Sequence, residues 1–594
     1  MWSRCGIFLP NKDLLLKEVG ELKRVESNLE YLRKLFIMPD TPDKFMEFGH
    51  AVLEMIHDFF QEKEGLHKRI TLPELAGIFN QTSMPESPHL IRDVLAEIKD
   101  KVTVHSVKVG SPYYIGHMTS AVPYFMILLE IIIASLNQNQ VKIETAKASS
   151  FVERELIAWV HRMIFNRSER FYQRNIQNPR VAIGNVTSGG TMSNLNALLV
   201  AREKALPADR RFPGVRKAGM ERALRYHGFT RLVVLTSKRG HYSIQKSANL
   251  LGLGEENVIE VPVDTYNRID ISRLKRTMRA IKRDDRAKGT RTKIMAIVGI
   301  AGNTETGNID NLKELGDIAR QEGAFFHVDA AWGGSALIVD EYRHLFQGIE
   351  AADSVSVDFH KLLYCPMAMS VVVFHNERDL NHLKQISQYV NRRESVDTGR
   401  FTIEGSRSFA CLKPWASLKI MGKDGYRLLF EQAREAMLTF KRILEDSRKF
   451  EIMNDPELFI LNYRFVPQFV MEKLHELMEM KKSPSNRAGR GEATRKARRI
   501  NRVLNTLNVQ LQKSIRLDDT TFVSRTTIES TRYRPQRIVV LRAVLINPLI
   551  NDGILKKIVS TQNRIGLSLA YQYEPLLREA VALGIFRFFP FRRN

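Results

Sequence analysis

Short apolar runs alternate with helix-like stretches between residues 180 and 375, and this alternation restricts the fold more than any other feature of the chain. A short apolar run bounded by turn signals is typical of a buried strand, and apolar residues repeating at three and four positions are typical of a helix. Strands that alternate with helices predict an α/β fold with a mainly parallel sheet covered on both faces. The predicted strands lie at residues 232–236, 294–300, 324–329, 354–358 and 370–374.

In a sheet of this kind a ligand lies beyond the carboxyl ends of the strands. The segment 352–366 contains one predicted strand and continues with His360 and Lys361. A lysine at the end of a buried strand is costly unless it has a partner or a chemical task, because desolvation disfavours its charged form. One such task is to form a Schiff base with a carbonyl cofactor. Taken alone, the pair also fits a solvated lysine on a loop.

A glycine turn opens a predicted helix, and it consists of Ser188, Gly189, Gly190 and Thr191. Paired glycines let the backbone approach a ligand closely, and the free N–H groups of a first helical turn suit a phosphate group. Ser188 and Thr191 add hydroxyl groups to this surface. The alternative for this motif is an ordinary serine or threonine helix cap.

Three more polar residues follow predicted strands. His241 lies in a strand-to-helix loop, where an imidazole can stack on a flat ring or be an ordinary satisfied loop residue. Thr304 lies in a turn after the strand 294–300, and that turn is equally typical of a simple glycine turn. Asp329 is a carboxylate in nearly apolar sequence, so it needs a strong partner such as a protonated ring nitrogen, or it caps a turn. The small residues that follow it, including Ala331, leave room for a flat group.

Together these motifs supply a phosphate cradle, a ring-stacking histidine, a carboxylate for a pyridinium nitrogen and a Schiff-base lysine, which is the set that pyridoxal 5′-phosphate (PLP) needs. On these motifs the chain resembles the group II PLP-dependent amino-acid decarboxylases, which include glutamate, aromatic amino-acid and cysteine-sulfinate decarboxylases. The resemblance extends from Pro112 to the end of the chain. Asp329 precedes Lys361 by 32 residues and follows Thr304 by 25 residues, as the family pattern expects.

The resemblance implies a fold and a division into domains. The fold is that of the PLP-dependent transferases of fold type I, which is aspartate-aminotransferase-like, with a mainly parallel sheet in a large domain and a smaller α+β C-terminal domain. The expected divisions are a helical N-terminal segment 1–110, a large PLP-binding domain 111–430, and a small domain 431–594 that carries a basic insert 481–502. A homodimer with shared active sites is also implied.

The resemblance implies a role for each residue of these motifs. Lys361 would form the Schiff base, His241 would stack on the pyridine ring, and Asp329 would pair with the ring nitrogen. The phosphate and the ring edge would be held by Ser188, Gly189, Gly190, Thr191, Thr304 and Ala331, with Ser356 or His360 added at the phosphate. Leu362 stands where the family usually has an aromatic residue after the lysine.

Three segments, 113–120, 136–144 and 397–407, most resemble the glutamate-like bacterial branch of the family, which includes the enzyme that makes β-alanine from aspartate. L-Aspartate, giving β-alanine and CO2, is therefore the expected substrate. L-Glutamate, giving 4-aminobutyrate, is second, and cysteine sulfinate, giving hypotaurine, stays open. Another PLP-dependent reaction on the same fold, catalysed by another lyase or an aminotransferase, is a further alternative.

Four residues are candidates for handling the substrate. His117, Asn139 and Arg407 are the candidates for binding it, and an arginine suits bidentate recognition of a carboxylate. For Arg407 the resemblance also implies a phosphate-binding or structural role. The family uses a tyrosine on a mobile loop to protonate the carbanion that decarboxylation leaves. Tyr389 is the candidate for this acid, and the alternative is a loop tyrosine with no chemical part.

Composition argues against several other classes of protein. The chain has 44% hydrophobic and 26% charged residues, which is ordinary for a globular protein. Its three cysteines, Cys5, Cys365 and Cys411, are far apart and odd in number, so no disulfide framework or cysteine metal site is expected and a reducing cytosol is predicted. The N-terminus lacks the apolar core of a signal peptide. The apolar run 121–136 is interrupted and too short to span a membrane, and we expect a buried helix there.

The net charge of +24 raises the hypothesis of nucleic-acid binding. Positive residues are densest between 481 and 502, where the serine, proline and glycine content predicts an exposed loop leading into a basic helix. No RNA- or DNA-binding signature accompanies this stretch. A solvated basic surface, able to attract an acidic metabolite, is therefore expected. A binder of nucleic acid or of an anionic surface is the alternative class, and it would show steep salt dependence.

Overall fold

The computed structural model describes residues 28–62, 65–385, 397–482, 487–529 and 531–582. The chain divides into two compact units, Met1–Lys108 and Val109–Asn594. The first unit lies within the segment 1–110, where the sequence predicts helices. Its helices include α1 (Phe45–Gln61), α2 (Leu72–Ile78) and α3 (Ile91–Glu97).

The second unit contains a seven-stranded sheet. Its strands are β1 (Gly184–Thr187), β2 (Arg231–Ser237), β3 (Val258–Val261), β4 (Thr292–Ile300), β5 (Phe325–Asp329), β6 (Ser354–Asp358) and β7 (Ser370–Phe374). They are hydrogen-bonded in the order β1-β7-β6-β5-β4-β2-β3. Strands β6, β5, β4, β2 and β3 are parallel, and β7 is antiparallel to both of its neighbours. The prediction of a mainly parallel sheet is confirmed.

Alternate residues of the sheet point into two different hydrophobic cores. In β2, Val233 and Leu235 belong to one core, and Leu232 and Val234 belong to the other. Such strands are buried on both faces along nearly their whole length, so small and apolar residues predominate in them. The helices of this part of the chain are α4 (Tyr124–Leu136), α5 (Ala148–Phe165), α6 (Glu169–Asn175), α7 (Gly190–Ala205), α8 (Val215–Ala218), α9 (Met220–His227), α10 (Ser243–Leu250), α11 (Ile271–Lys288) and α12 (Leu312–Glu322).

A smaller antiparallel sheet follows in the C-terminal part of the second unit. Its strands are β8 (Phe450–Ile452), β9 (Ile460–Phe465), β10 (Ser524–Ile528) and β11 (Ile538–Val544), in the order β10-β11-β9-β8. The helices are α13 (Leu412–Asp446), α14 (Gln468–Lys482), α15 (Arg487–Asp518) and α16 (Asp552–Ala582). Helix α13 runs through residue 430, where a boundary between large and small domains is predicted, and that boundary stays a prediction.

Much of the basic stretch 481–502 is helical rather than a loop. It includes the end of α14 and the first half of α15, whereas residues 483–486 lie outside the described part of the chain. The apolar positions of α15 lie in the core of the small domain, and among them Ile500, Leu504 and Leu507 are fully buried. The basic residues between these positions follow from the amphipathic pattern, because one face of the helix packs on the core and the other meets solvent.

Helix α4 corrects the expectation of a buried helix at 121–136. Met126 and Ile133 are buried, whereas apolar side chains on the rest of the helix are exposed: Tyr124, Leu128, Ile131, Ile132 and Leu136. A helix that is apolar on all sides needs neighbours on all sides, and the described residues cover one side of α4 only. Within the described residues no helix is long and apolar enough to cross a membrane.

Candidate active site

The carboxyl ends of β2, β4, β5 and β6 meet the start of α7 at a cavity of about 490 Å³. This position agrees with the rule that ligands bind beyond the carboxyl ends of parallel strands. The cavity gathers most of the residues that the sequence singles out. These lining residues are His117, Ser188, Gly189, Gly190, Thr191, His241, Thr304, Asp329, Ala331, His360 and Lys361.

Lys361 lies in the turn that follows β6, with part of its side chain open to the cavity. Its Nζ is 2.8 Å from Oδ2 of Asp358, the last residue of β6. The neighbouring His360 has its Nε2 at 3.6 Å from the same oxygen, and its Nδ1 lies 2.8 Å from the carbonyl oxygen of Met369. The cost of placing a lysine at a strand end is therefore offset by a buried carboxylate.

Asp329 is the last residue of β5, and three donors hold its carboxylate. The Asn194 amide donates to Oδ2 at 2.8 Å, and Oδ1 accepts from the Ala331 N–H at 3.2 Å and from the Ser356 hydroxyl at 3.3 Å. Three donors fix the direction of this carboxylate in the cavity. The geometry suits a pairing with a protonated ring nitrogen.

Asn194, on the buried side of α7, uses both ends of its amide. Its Nδ2 donates to Asp329 and, at 2.9 Å, to the Ser243 hydroxyl, and its Oδ1 lies 2.9 Å from Nε2 of His327 and 3.1 Å from the Ser356 hydroxyl. Burial lowers the pKa of His327, so this imidazole is neutral at pH 7. The sequence gives no sign of this role, because an asparagine in a helix has no distinctive pattern.

His241 lies between β2 and α10, and its partners define its tautomer. Its Nδ1 lies 2.9 Å from the Ser243 hydroxyl and accepts from the Ser243 N–H at 3.3 Å, so the ring proton is on Nε2. Burial lowers the pKa of His241, which favours the neutral ring that stacks best on a flat, electron-poor group. Because Ser243 also contacts Asn194, the histidine and Asp329 are held by one network.

The glycine turn before α7 has the shape of an anion cradle. Nothing lies within 4 Å of the position that a Cβ would take on Gly189, so the backbone there faces open space. A Cβ on Gly190 would meet both carboxylate oxygens of Asp358 at 3.1 Å and Cβ of Ala331 at 3.3 Å. The first N–H groups of α7 face this space, and such groups bind phosphate. At Ser188 the main-chain N–H donates to Glu404, so this residue offers only its hydroxyl.

Together the donors and the space fit PLP. The cavity has room for a flat ring next to Ala331. Its lining includes the fixed carboxylate of Asp329, the imidazole of His241 and the first residues of α7. The buried Nε1 of Trp332, which also lines the cavity, has no hydrogen-bond partner within the described ranges. A polar atom buried without a partner is costly, and a bound polar group relieves that cost.

Among the described residues, three predicted site residues do not line the cavity: Ser356, Arg407 and Asn139. Ser356 lies behind Asp329 and uses its hydroxyl in the Asn194 network, so it does not reach the phosphate cradle, which corrects the phosphate role predicted for it. Arg407 is buried and donates to the Glu153 carboxylate at 2.9 and 3.0 Å, which leaves the predicted grip on the substrate without geometric support.

Asn139 also has a structural environment. Its Nδ2 donates to the Ser406 hydroxyl at 3.2 Å, and its Oδ1 accepts from the main-chain N–H groups of Val141 and Arg407. The side chain therefore ties two loops together and does not line the cavity. Tyr389 lies outside the described residues.

A buried arginine on β11, Arg542, lies directly behind the cavity wall. Its Nε donates to the carbonyl oxygen of Thr304 at 2.6 Å and its Nη1 to that of Gly116 at 3.3 Å, whereas its Nη2 has no partner within the described part of the chain. Burial lowers the pKa of Arg542 to about 10, so it stays charged at pH 7. Burial and this guanidinium both lower the pKa of His117. The sequence signal for Arg542 is similar to that for Asp329. Each is a charged residue within or at the end of a mainly apolar run.

Solved structures with the same fold include PLP-dependent decarboxylases. The glutamate decarboxylase domain of a diaminobutyrate-pyruvate transaminase and L-2,4-diaminobutyrate decarboxylase from Vibrio parahaemolyticus covers 91% of this chain and 99% of its own, with a TM-score of 0.71 and 20% identity. Mouse CSAD covers 87% of this chain and 99% of its own, with a TM-score of 0.70 and 24% identity. The predicted fold type I architecture with a smaller C-terminal domain is confirmed.

The sequence comparisons identify the family. An aspartate 1-decarboxylase of Aliivibrio fischeri is 36% identical over 563 residues, which cover 95% of this chain and 99% of that protein. An L-2,4-diaminobutyrate decarboxylase of Rhizobium meliloti is 28% identical over 70% of this chain and 79% of its own. The model of the pyridoxal-dependent decarboxylase conserved domain matches residues 73–466. Since the cavity also fits the cofactor, the chain belongs to the pyridoxal-dependent decarboxylase family and is a PLP-dependent amino-acid carboxy-lyase.

Proposed function

We propose that this enzyme removes the α-carboxylate of L-aspartate and releases β-alanine and CO2. The observation that carries the reaction class is the convergence of Lys361, Asp329 and His241 on one cavity. The similarity to an aspartate 1-decarboxylase over nearly the whole chain supports the choice of substrate. L-Glutamate and cysteine sulfinate are the other acidic substrates that the same cavity would serve.

Each residue of the cavity has a separate task in this proposal. The bound cofactor supplies a ring that accepts the electrons left when the bond to the carboxylate breaks. Lys361 would hold the cofactor covalently and would give way to the substrate amine. Asp329 would pair with the ring nitrogen, His241 would stack on the ring, and the start of α7 would hold the phosphate. A candidate for the acid that finally protonates carbon is Tyr389.

The charge near the cavity favours an acidic side chain on the substrate. Arg542 keeps its charge behind the wall formed by His117 and Thr304, and its Nη2 has no hydrogen-bond partner among the described residues. Burial raises the pKa of Glu305, the acid whose charge acts on Arg542. A cationic substrate such as 2,4-diaminobutyrate would meet like charge there, and like charges at short range repel. This distinguishes the chain's expected substrate from that of its diaminobutyrate-decarboxylating relative.

The reaction itself gives the first prediction. Purified protein loaded with PLP is expected to show the visible absorbance band of a lysine Schiff base and to release CO2 and β-alanine from L-aspartate. The Lys361→Ala variant should lose both, and the surface variant Lys313→Ala should keep both. Product from L-glutamate alone would keep the reaction class and overturn the substrate. Absence of CO2 from all three acidic amino acids would refute the proposal.

A second prediction concerns the network around Asp329. The Asn194→Ala variant removes one donor from that carboxylate and the link to Ser243, so both the ring nitrogen's partner and His241 lose their orientation. Loss of a hydrogen bond to a charged group predicts an increase of about ten- to a hundredfold in the PLP dissociation constant. Titration of the apoenzyme with PLP measures it. The exposed Asn249→Ala on α10 is the matched control, and equal affinity in the two variants would contradict the role of Asn194.

A third prediction separates the charge of Arg542 from its packing. We expect Arg542→Gln to lower the ratio of kcat/KM for L-aspartate to kcat/KM for L-2,4-diaminobutyrate by about tenfold, because the substrate charge loses its partner. Arg542→Lys keeps the charge and should retain most of the ratio. Arg537→Gln, at an exposed position before β11, serves as the control. A ratio that is unchanged in Arg542→Gln would show that this guanidinium has no part in specificity.

We infer that the exposed face of α4 lies against a second copy of the chain in a homodimer. Exposed apolar residues that are contiguous on one helix are typical of an interface rather than of a solvated surface. The expected dimer should dissociate when charge is placed at its centre, as in Ile131→Glu with Ile132→Glu. Light scattering after size exclusion measures the mass, and Leu250→Glu, at another exposed apolar position, is the control. A monomeric wild-type enzyme would contradict the inference.

A further inference from the structure

A second buried carboxylate, Asp358, lies in the same cavity and has no task in the function proposed above. It ends β6 just as Asp329 ends the neighbouring β5. The two carboxylates are held very differently. Asp329 accepts from three hydrogen-bond donors, whereas Asp358 pairs with Lys361 through Oδ2, and its buried Oδ1 has no hydrogen-bond partner within the described residues.

The turn after β6 holds Asp358 and Lys361 in fixed relation. The Phe359 N–H donates to the carbonyl oxygen of Met369 at 3.0 Å, and the Cys365 N–H donates back to the carbonyl oxygen of Phe359. Both carboxylate oxygens of Asp358 lie close to Gly190, at the start of α7. A Cβ on Gly190 would be only 3.1 Å from each of them. The carboxylate therefore has little freedom to turn toward another partner, and Lys361 is the residue that moves.

A carboxylate this deeply buried needs a cation. Lys361 supplies one at 2.8 Å, and His360 Nε2 lies farther away, at 3.6 Å from the same oxygen. In the reaction proposed above, however, Lys361 has to leave this pair in order to bond to the cofactor. It also has to return to a defined position each time the substrate amine takes its place. The carboxylate of Asp358 marks that position.

We propose that Asp358 is a positioning residue that receives the Lys361 ammonium whenever Lys361 is not bonded to the cofactor. In the exchange, the bond between Lys361 Nζ and the cofactor carbon breaks as the substrate nitrogen bonds to that carbon. Two protons pass from the substrate ammonium to Lys361, so charge is conserved and Lys361 arrives as an ammonium at Asp358. Nε2 of His360, 3.6 Å from the same carboxylate oxygen, stays beside it while Lys361 is away. The inference about turnover rests on the proposed function, whereas the ion pair in the apoenzyme does not.

The first test uses the apoenzyme and needs no activity. Acetic anhydride acylates an amine but not an ammonium, so a carboxylate that holds the ammonium protects Lys361. In Asp358→Asn we expect Lys361 to be acylated about tenfold faster than in the wild type, because the loss of one charge-assisted hydrogen bond corresponds to a factor of about ten. Mass spectrometry of the peptide measures the rate, with Lys313 of the same molecule as reference. Equal rates in the two proteins would overturn the proposal.

Ser335→Ala is the matched control for local disturbance, because the Ser335 hydroxyl donates to the main-chain oxygen of Asp358 and leaves the carboxylate untouched. Its Lys361 should be acylated at the wild-type rate. If Asp358→Asn does not fold, unfolding midpoints of the apoenzyme test the pair instead. Lys361→Met leaves Asp358 uncompensated, and Asp358→Asn added to it should recover part of the loss. Strictly additive midpoints would overturn the pair.

The second test uses the loaded enzyme. Asp358→Asn should lower kcat for L-aspartate about tenfold and change KM by less than about twofold. Residues other than Asp358 bind the amino acid, and the substitution slows only the return of Lys361. Ser335→Ala should keep both constants. A loss confined to KM would overturn the positioning role. If the loaded wild type releases no CO2, the proposed function fails, while the acylation contrast still decides whether Asp358 holds Lys361.

Discussion

The register in which β5 pairs with β6 determines the chemistry of this enzyme. His327 lies opposite Ser354, and Asp329 lies opposite Ser356, so the ends of the two strands present their polar groups at the same level. From α7, the Asn194 amide hydrogen-bonds polar side chains of both strands. A slip of one residue would turn every side chain of a strand to the other face and would separate Asp329 from all of these donors.

The sequence predicted those parts of the fold and site that leave a local signal. The strands of the seven-stranded sheet that have five or more residues were recognised, whereas β1 and β3, with four residues each, were too short to be distinguished from a loop. Asp329 and Lys361 were recognised because a charge that ends an apolar run needs an explanation. Asn194 was missed because its four partners come from distant parts of the chain, and no local pattern encodes them.

The expectations that the structure does not support have the same origin. The apolar composition of α4 predicts burial, but it does not say which neighbour would cover the helix. Arg407 suits a carboxylate by its chemistry, yet the carboxylate that it meets is Glu153 of its own chain. Composition and residue type thus predict what a group needs. Only the tertiary contacts show which partner meets that need.

Asp329 and Asp358 end adjacent strands, and their different partners give the same type of side chain two different roles. Asp329 receives uncharged donors from the protein on both oxygens. Asp358 receives a cation from the protein itself, and that cation is the reactive one. Since both carboxylates are buried, neither can be left unpaired at low cost. A group that withdraws Lys361 from Asp358 must therefore compensate the loss elsewhere in the cavity, where Nε2 of the His360 imidazole lies 3.6 Å from the same oxygen.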